Sequence, residues 1–216
     1  MTLPPSREVT PLAERTALLV IDVQKYCAEP TGTEFAGRDL GAYRFYFERV
    51  AATVVPNIQR LQACFRAGGI EIVYTMIESL TRDGRDRSLD YKLSGLHVPK
   101  GSRDAEMLDA IRPQGDEIVI PKTSSSVFNS TNIDYVLRNL GIEYLVVCGL
   151  ITDQCVEGAV RDAADRGYLV TLVTDACGSY DAERHGYALQ ALRGFCRQRT
   201  TDQVTAELSA QFASTG

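Results

Sequence analysis

At 216 residues, with 44% hydrophobic and 24% charged side chains, the chain has room for one sizeable soluble domain and too little length for two. Its formal net charge of -5 argues against a nucleic-acid partner or an anionic membrane surface, and no block of like charges suggests an interaction tail. No apolar stretch approaches the roughly 18–20 residues of a membrane span, and the opening stretch "MTLPPSREVTPLAERT" lacks the apolar centre of a secretory signal, so a cytoplasmic address is expected.

In chain order, "TALLVID" (16–22) is the first run rich in Leu, Val and Ile without alternation, as expected of a strand buried on both faces of a parallel sheet. "VVPNIQRLQACFRAGG" (54–69) reads as a helix closed by two glycines, and "IEIVYTMI" (70–77) as the second strand. From Glu78 to Gly101 the chain is polar and weakly patterned; a connection this long inside a compact domain is usually functional or mobile. "DEIVIPK" (116–122) is the third strand, "STNIDYVLRNLG" (130–141) a helix that stops on Gly141, and "EYLVVCG" (143–149) the fourth strand. A helix opens at Thr152 or Asp153, with Val156, Ala159, Val160, Ala163 and Ala164 on one face. "YLVTLVTD" (168–175) is the fifth strand and "DAERHGYALQALRGFCRQ" (181–198) a further helix. Strand alternating with helix predicts a single α/β domain over 1–216, a doubly wound, mostly parallel sheet with helices on both faces.

The six cysteines are scattered, with no CxxC and no histidine clustered beside them, so neither a zinc site nor a disulfide framework is expected. Most should be small buried hydrophobes. Cys155 differs, because it falls on the first turn of a helix that follows a strand.

Ligands of an open parallel sheet bind outside the carboxyl ends of its strands. Asp22 stands at that end of the first strand, Lys122 at that of the third, and Cys155 just beyond the fourth. Singly, the aspartate reads as a turn former, the lysine as a solvated edge charge and the cysteine as core. If the three strands are neighbours, the three residues have a joint logic. A helix N-terminus and a nearby ammonium both favour a thiolate. Asp22 is suited to take the thiol proton and return it to a leaving amine, and backbone N–H groups at the helix start are suited to hold an oxyanion.

"LLVIDVQ", "PKTSSSVFNSTNIDYVLRNLGI" and "VVCGLITDQCVEGAVRDAADRGY" resemble the three motif regions of the isochorismatase-like cysteine hydrolases, over a span from about Ala17 to Asp175. The resemblance implies a catalytic triad of Asp22, Lys122 and Cys155. It also implies a cis peptide at Leu150–Ile151 and an oxyanion hole made by the N–H groups of Ile151 and Cys155. Family members that cleave the vinyl ether of isochorismate often lack the cysteine, so its presence here favours amide chemistry. Nicotinamidases carry an Asp-x-His metal motif with a further histidine; here the region reads "TMIESLTRDGRD" and the only histidines are His97 and His185. No metal and no cofactor are therefore expected. Gly158 replaces the family's small hydroxyl residue three positions after the cysteine.

What remains resembles the amidohydrolases of ureido, carbamoyl or small acyl amides, such as N-carbamoylsarcosine and ureidoacrylate hydrolases, which are commonly dimers or tetramers. The expected partner is accordingly a small-molecule amide or ureido substrate, with a homodimer or homotetramer as the assembly. Tyr26, after the first strand, and Glu78, after the second, are candidates to bind substrate; Glu78 reads equally as a solvated loop carboxylate. Phe128 is a candidate pocket wall or a loop anchor. Arg82, Arg85 and Arg87 are suited to a substrate carboxylate or simply to solvent. Two other readings stay open. The same triad would serve an ester or vinyl ether, and a thiol redox or binding protein would explain Cys155 but leave Asp22 and Lys122 without roles.

Overall fold

A computed structural model of the chain describes residues 6–212; the first five and last four residues of the expected 1–216 domain, and with them the start of the N-terminal stretch, lie outside the described residues. The strands are β1 (Thr16–Ile21), β2 (Glu71–Ile77), β3 (Ile118–Lys122), β4 (Tyr144–Leu150), β5 (Leu169–Gly178) and β6 (Arg197–Arg199). They form one sheet in the order β3-β2-β1-β4-β5-β6, with every neighbouring pair parallel. The sequence points to the first five. The sixth lies at the end of the 181–198 stretch that reads as helix: the helix stops at Leu192, and the chain turns into a short edge strand whose polar "RQR" carries no strand pattern.

The helices are α1 (Lys25–Ala28), α2 (Arg44–Arg49), α3 (Val55–Ala67), α4 (Leu89–Leu93), α5 (Val127–Ser130), α6 (Ile133–Asn139), α7 (Glu157–Asp165), α8 (Ala182–Leu192) and α9 (Thr201–Phe212). Helix α3 lies against β1, β2 and β5 and is backed by α9, while α7 covers the other face with α5 and α8 beside it. This double cover explains why β1 is buried at every position, Thr16 to Ile21, and why its residues show no alternation.

The strand order reverses between β1 and β4, the point at which a doubly wound sheet opens a crevice at its carboxyl edge. The two strands approach so closely there that a Cβ on Gly149 would lie 2.1 Å from the Ile21 carbonyl oxygen, and Gly149 also has a φ of 124°. Only glycine satisfies both conditions.

Candidate active site

Asp22 follows β1 directly and adopts a left-handed backbone conformation (φ 49°), uncommon for a residue with a side chain. Its Oδ1 accepts a hydrogen bond from Thr75 Oγ1 on β2 at 2.6 Å. Lys122 ends β3, and β3 is not a neighbour of β1, because β2 lies between them. The condition of adjacent strands thus holds for β1 and β4 alone. The long lysine side chain makes up the difference by crossing the end of β2. Its Nζ lies 2.8 Å from Asp22 Oδ2 and 3.4 Å from Cys155 Sγ, and donates to the Ser124 carbonyl at 2.9 Å and Tyr91 Oη at 3.2 Å. Far from being a solvated edge charge, Lys122 is completely buried.

Cys155 sits in a π-helical turn, Thr152–Val156, that joins β4 to α7. Such widened turns recur at functional sites. Ahead of it the Leu150–Ile151 peptide is cis, and the Ile151 carbonyl accepts from the N–H groups of Gln154 (3.0 Å) and Val156 (3.3 Å). Thr152 Oγ1 contacts His185 Nδ1 at 2.9 Å, and Arg49 Nη2 lies 3.0 Å from His185 Nε2. A guanidinium only donates, so Nε2 accepts and the proton of the neutral ring is on Nδ1, donated to Thr152. Burial, followed by the nearby Arg49 charge, lowers the His185 pKa to about 4.

The electrostatics differ from the expectation of a free thiolate. Burial pushes the Cys155 thiol up to about 12; Lys122 pulls it down, and Asp22 raises it again. Burial works against the charge of Lys122 too, but Asp22, with Cys155 and Tyr91, holds the ammonium above its usual range. Burial likewise raises Tyr91, which stays a neutral hydroxyl. The resting site is therefore an ion pair beside a protonated thiol. Asp22 Oδ2 faces Nζ without the alignment of a hydrogen bond, and with Oδ1 engaged by Thr75 it is the oxygen open to a proton.

Asp22, Cys155, Leu150 and Ile151 open onto a cavity of about 650 Å³. Tyr26 lines it, with its hydroxyl donating to Glu34 Oε2 at 2.6 Å. Glu78 does not line it: the chain turns after β2, and Glu78 Oε1 accepts from Gly101 N at 2.8 Å. Phe128 also faces away, its ring 6.0 Å from that of Tyr168 and under the Arg166 guanidinium. Arg82, Arg85 and Arg87 lie outside the cavity lining as well. Arg85 pairs with Asp83, and Arg87 ties the loop together through the Gly84 and Leu96 carbonyls. Gly158 leaves room under the site, for a Cβ there would meet Ser126 Cβ at 3.4 Å.

Several cavity residues carry no signal in the sequence. Tyr91 comes from α4, inside the long 78–101 connection, and its hydroxyl lies 3.9 Å from Cys155 Sγ. Glu34, Arg38 and Tyr180 come from segments without periodicity. The length of the 78–101 connection was the one available hint. Among the described residues no group of three or more His, Cys, Asp or Glu side chains is placed to hold a metal ion, and no helix is long and apolar enough to cross a membrane.

The isochorismatase domain family matches residues 16–207. The chain belongs to the isochorismatase family, on its amidohydrolase side. It is 31% identical to the ureidoacrylate amidohydrolase RutB of Rhizobium rhizogenes over 194 residues, which cover 82% of this chain and 76% of the relative. A cysteine hydrolase from Pseudomonas syringae pv. phaseolicola superposes with a TM-score of 0.81 at 26% identity, covering 97% of this chain and 99% of that one. N-carbamoylsarcosine amidase from Thermoplasma acidophilum superposes with a TM-score of 0.66 at 27% identity, covering 87% and 97%.

Proposed function

We propose that this isochorismatase-family enzyme hydrolyses a non-peptide C–N bond of a small amide, ureido or carbamoyl substrate through a thioester on Cys155. One observation carries the reading: a buried Lys122 Nζ stands 2.8 Å from Asp22 and 3.4 Å from Cys155 Sγ, beneath the floor of a cavity that Asp22 and Cys155 line. Structural ion pairs have no need of a thiol in reach, and a buried thiol has no need of an acid and an ammonium. Together they supply a nucleophile, a proton acceptor and a fixed charge. The likeness to amidohydrolases supports the choice of bond.

In this mechanism the Cys155 proton passes to Asp22 as sulfur attacks the carbonyl carbon, and Lys122 stabilises the thiolate that forms in passing. The N–H groups of Ile151 and Cys155 hold the oxyanion of the tetrahedral intermediate. Asp22 returns the proton to the leaving nitrogen, the C–N bond breaks, and ammonia or an amine departs from the thioester. Water then attacks the thioester, with Asp22 accepting its proton, and the acid is released as sulfur regains a proton. Burial holds the resting thiol above its ordinary range against the pull of Lys122, which favours proton transfer to Asp22 in step with attack.

Release of ammonia from a panel of amides and ureas, compared between the wild type and Cys155→Ala, tests the reading. Turnover of at least one member, abolished in Cys155→Ala, is expected. Retention of wild-type hydrolysis by Cys155→Ala would contradict it.

A further inference from the structure

Three charged pairs meet at the cavity, and each is internally balanced. Lys122 beneath the floor is matched by Asp22 at 2.8 Å. Arg184 is matched by Asp153, a lining residue, at 2.5 Å. Arg38, an arginine in the wall, is matched by Glu34 at 3.1 Å and donates to Tyr43 Oη at 2.9 Å. His97 also lines the cavity, but its Nε2 is buried without a hydrogen-bond partner, 2.6 Å from where a Cβ on Gly84 would lie. Asp90 at the exposed rim adds a further carboxylate.

The neutral groups lean the same way. Tyr26 and Tyr180 donate to opposite oxygens of Glu34, at 2.6 Å and 3.0 Å. A phenol has one proton to give, so with both committed to Glu34 the two hydroxyls can only accept from a ligand. Glu34 thus sets that wall to receive N–H groups. A carboxylate brought there would meet the lone pairs of both hydroxyls, and Arg38, the lysine or arginine that lines the cavity among the described residues, already carries Glu34 as its counter-charge. The relatives named for ureidoacrylate and N-carbamoylsarcosine are named for carboxylates, which makes the difference one of substrate class.

We propose that the substrate of this enzyme is a ureide or amide without a carboxylate, uncharged or cationic, selected by the Glu34–Tyr26–Tyr180 wall. This rests on the amide-hydrolysis reading for turnover, and on binding alone for its charge preference. The probes are propylurea, (2-aminoethyl)urea and 3-ureidopropionate, which share the ureido group and differ in charge at the far end. Two readouts are taken: kcat/KM for ammonia release, and protection of Cys155 from iodoacetamide, which reports binding without turnover. Propylurea and (2-aminoethyl)urea should outperform 3-ureidopropionate by about 100-fold in both, the order of effect when a desolvated charge finds no partner. Glu34→Gln frees Arg38 from its counter-charge and forces an amide donor on one tyrosine. The ratio of 3-ureidopropionate to propylurea should then rise about tenfold or more, and because it is a ratio within one variant, a partial folding defect cancels.

Protection without hydrolysis, in the predicted order of charge, would overturn the amide-hydrolysis reading and support the charge preference. Hydrolysis or protection by 3-ureidopropionate equal to that by propylurea would overturn the charge preference and leave amide hydrolysis standing. Absence of protection by all three ureas, or an unchanged ratio in Glu34→Gln, would also overturn the proposal.

Discussion

At the scale of single residues, the Tyr91 hydroxyl is the group whose position asks most for a role. It accepts from Lys122 Nζ at 3.2 Å and lies 3.9 Å from Cys155 Sγ, while its ring is almost fully buried. Hydrogen bonds to charged groups contribute about 1.5–3 kcal/mol. Removing this one in Tyr91→Phe, with the ring kept in place, should lower kcat about tenfold and leave KM nearly unchanged. Steady-state kinetics on any turned-over amide reads this directly; a kcat equal to wild type would mean that Lys122 holds its position through Asp22 and Ser124 alone. Asp22, Lys122 and Cys155 were legible in the sequence because strand ends and helix starts are themselves legible, and the carboxyl edge of a parallel sheet is where ligands bind. Tyr91 was not, because an irregular connection offers no period from which to tell which side chain turns inward. Glu78 and Phe128 show the converse: a place near the right edge does not fix the direction of a side chain once the backbone turns.

Elements set how firmly that edge is held. Gly149 lets β4 lie against β1, and Gly149→Ala would place a Cβ 2.1 Å from the Ile21 carbonyl in a backbone conformation with φ at 124°. A loss of about 3 kcal/mol or more is expected, among the largest effects of a single substitution. Gly158→Ala is the contrast: its Cβ would meet Ser126 at an ordinary 3.4 Å inside α7, and helix propensity favours alanine by up to about 1 kcal/mol. Thermal or denaturant unfolding of the two variants should move in opposite directions. The Arg49–His185–Thr152 chain links α8 to acid stability. His185 titrates near 4 in the fold against an ordinary 6.5. The unfolded chain therefore takes up a proton that the folded one refuses. Its stabilising effect is complete above about pH 6.5 and is lost as pH falls towards 4. His185→Gln, whose amide can accept from Arg49 and donate to Thr152, should flatten that part of the pH dependence. Melting temperatures measured from about pH 7.5 to 4.5 check it; parallel curves for the two proteins would assign the acid sensitivity elsewhere.

The whole molecule gathers three distant stretches of sequence at one crevice. Continuous apolar runs made the doubly wound sheet legible, because strands covered on both faces have no polar side to interrupt them. The strand order was not legible, and with it went the relation of β3 to β1, since spacing along the chain does not state which strands pair. The sixth strand was hidden for a physical reason as well. Arg197 is buried there through its ion pair with Glu207 on α9, so a charged residue occupies a place that a sequence pattern assigns to an apolar one. The reversal of strand order between β1 and β4 brings Asp22 and Cys155 together, and the reach of Lys122 across β2 completes the group. That Asp22 and Lys122 act on the Cys155 thiol in opposite senses is the claim on which the proposed chemistry depends. Its most direct measurement is the pH profile of iodoacetamide labelling at Cys155, taken with amide turnover, in wild type, Asp22→Asn and Lys122→Met. Lys122→Met should slow labelling at a given pH, because the cation that lowers the thiol pKa is gone. Asp22→Asn should speed labelling, because the anion that raises it is gone, yet turnover should fall by about 100-fold or more for want of a proton acceptor. Labelling and turnover that change in the same direction in Asp22→Asn, or profiles unchanged in both variants, would contradict the assignment.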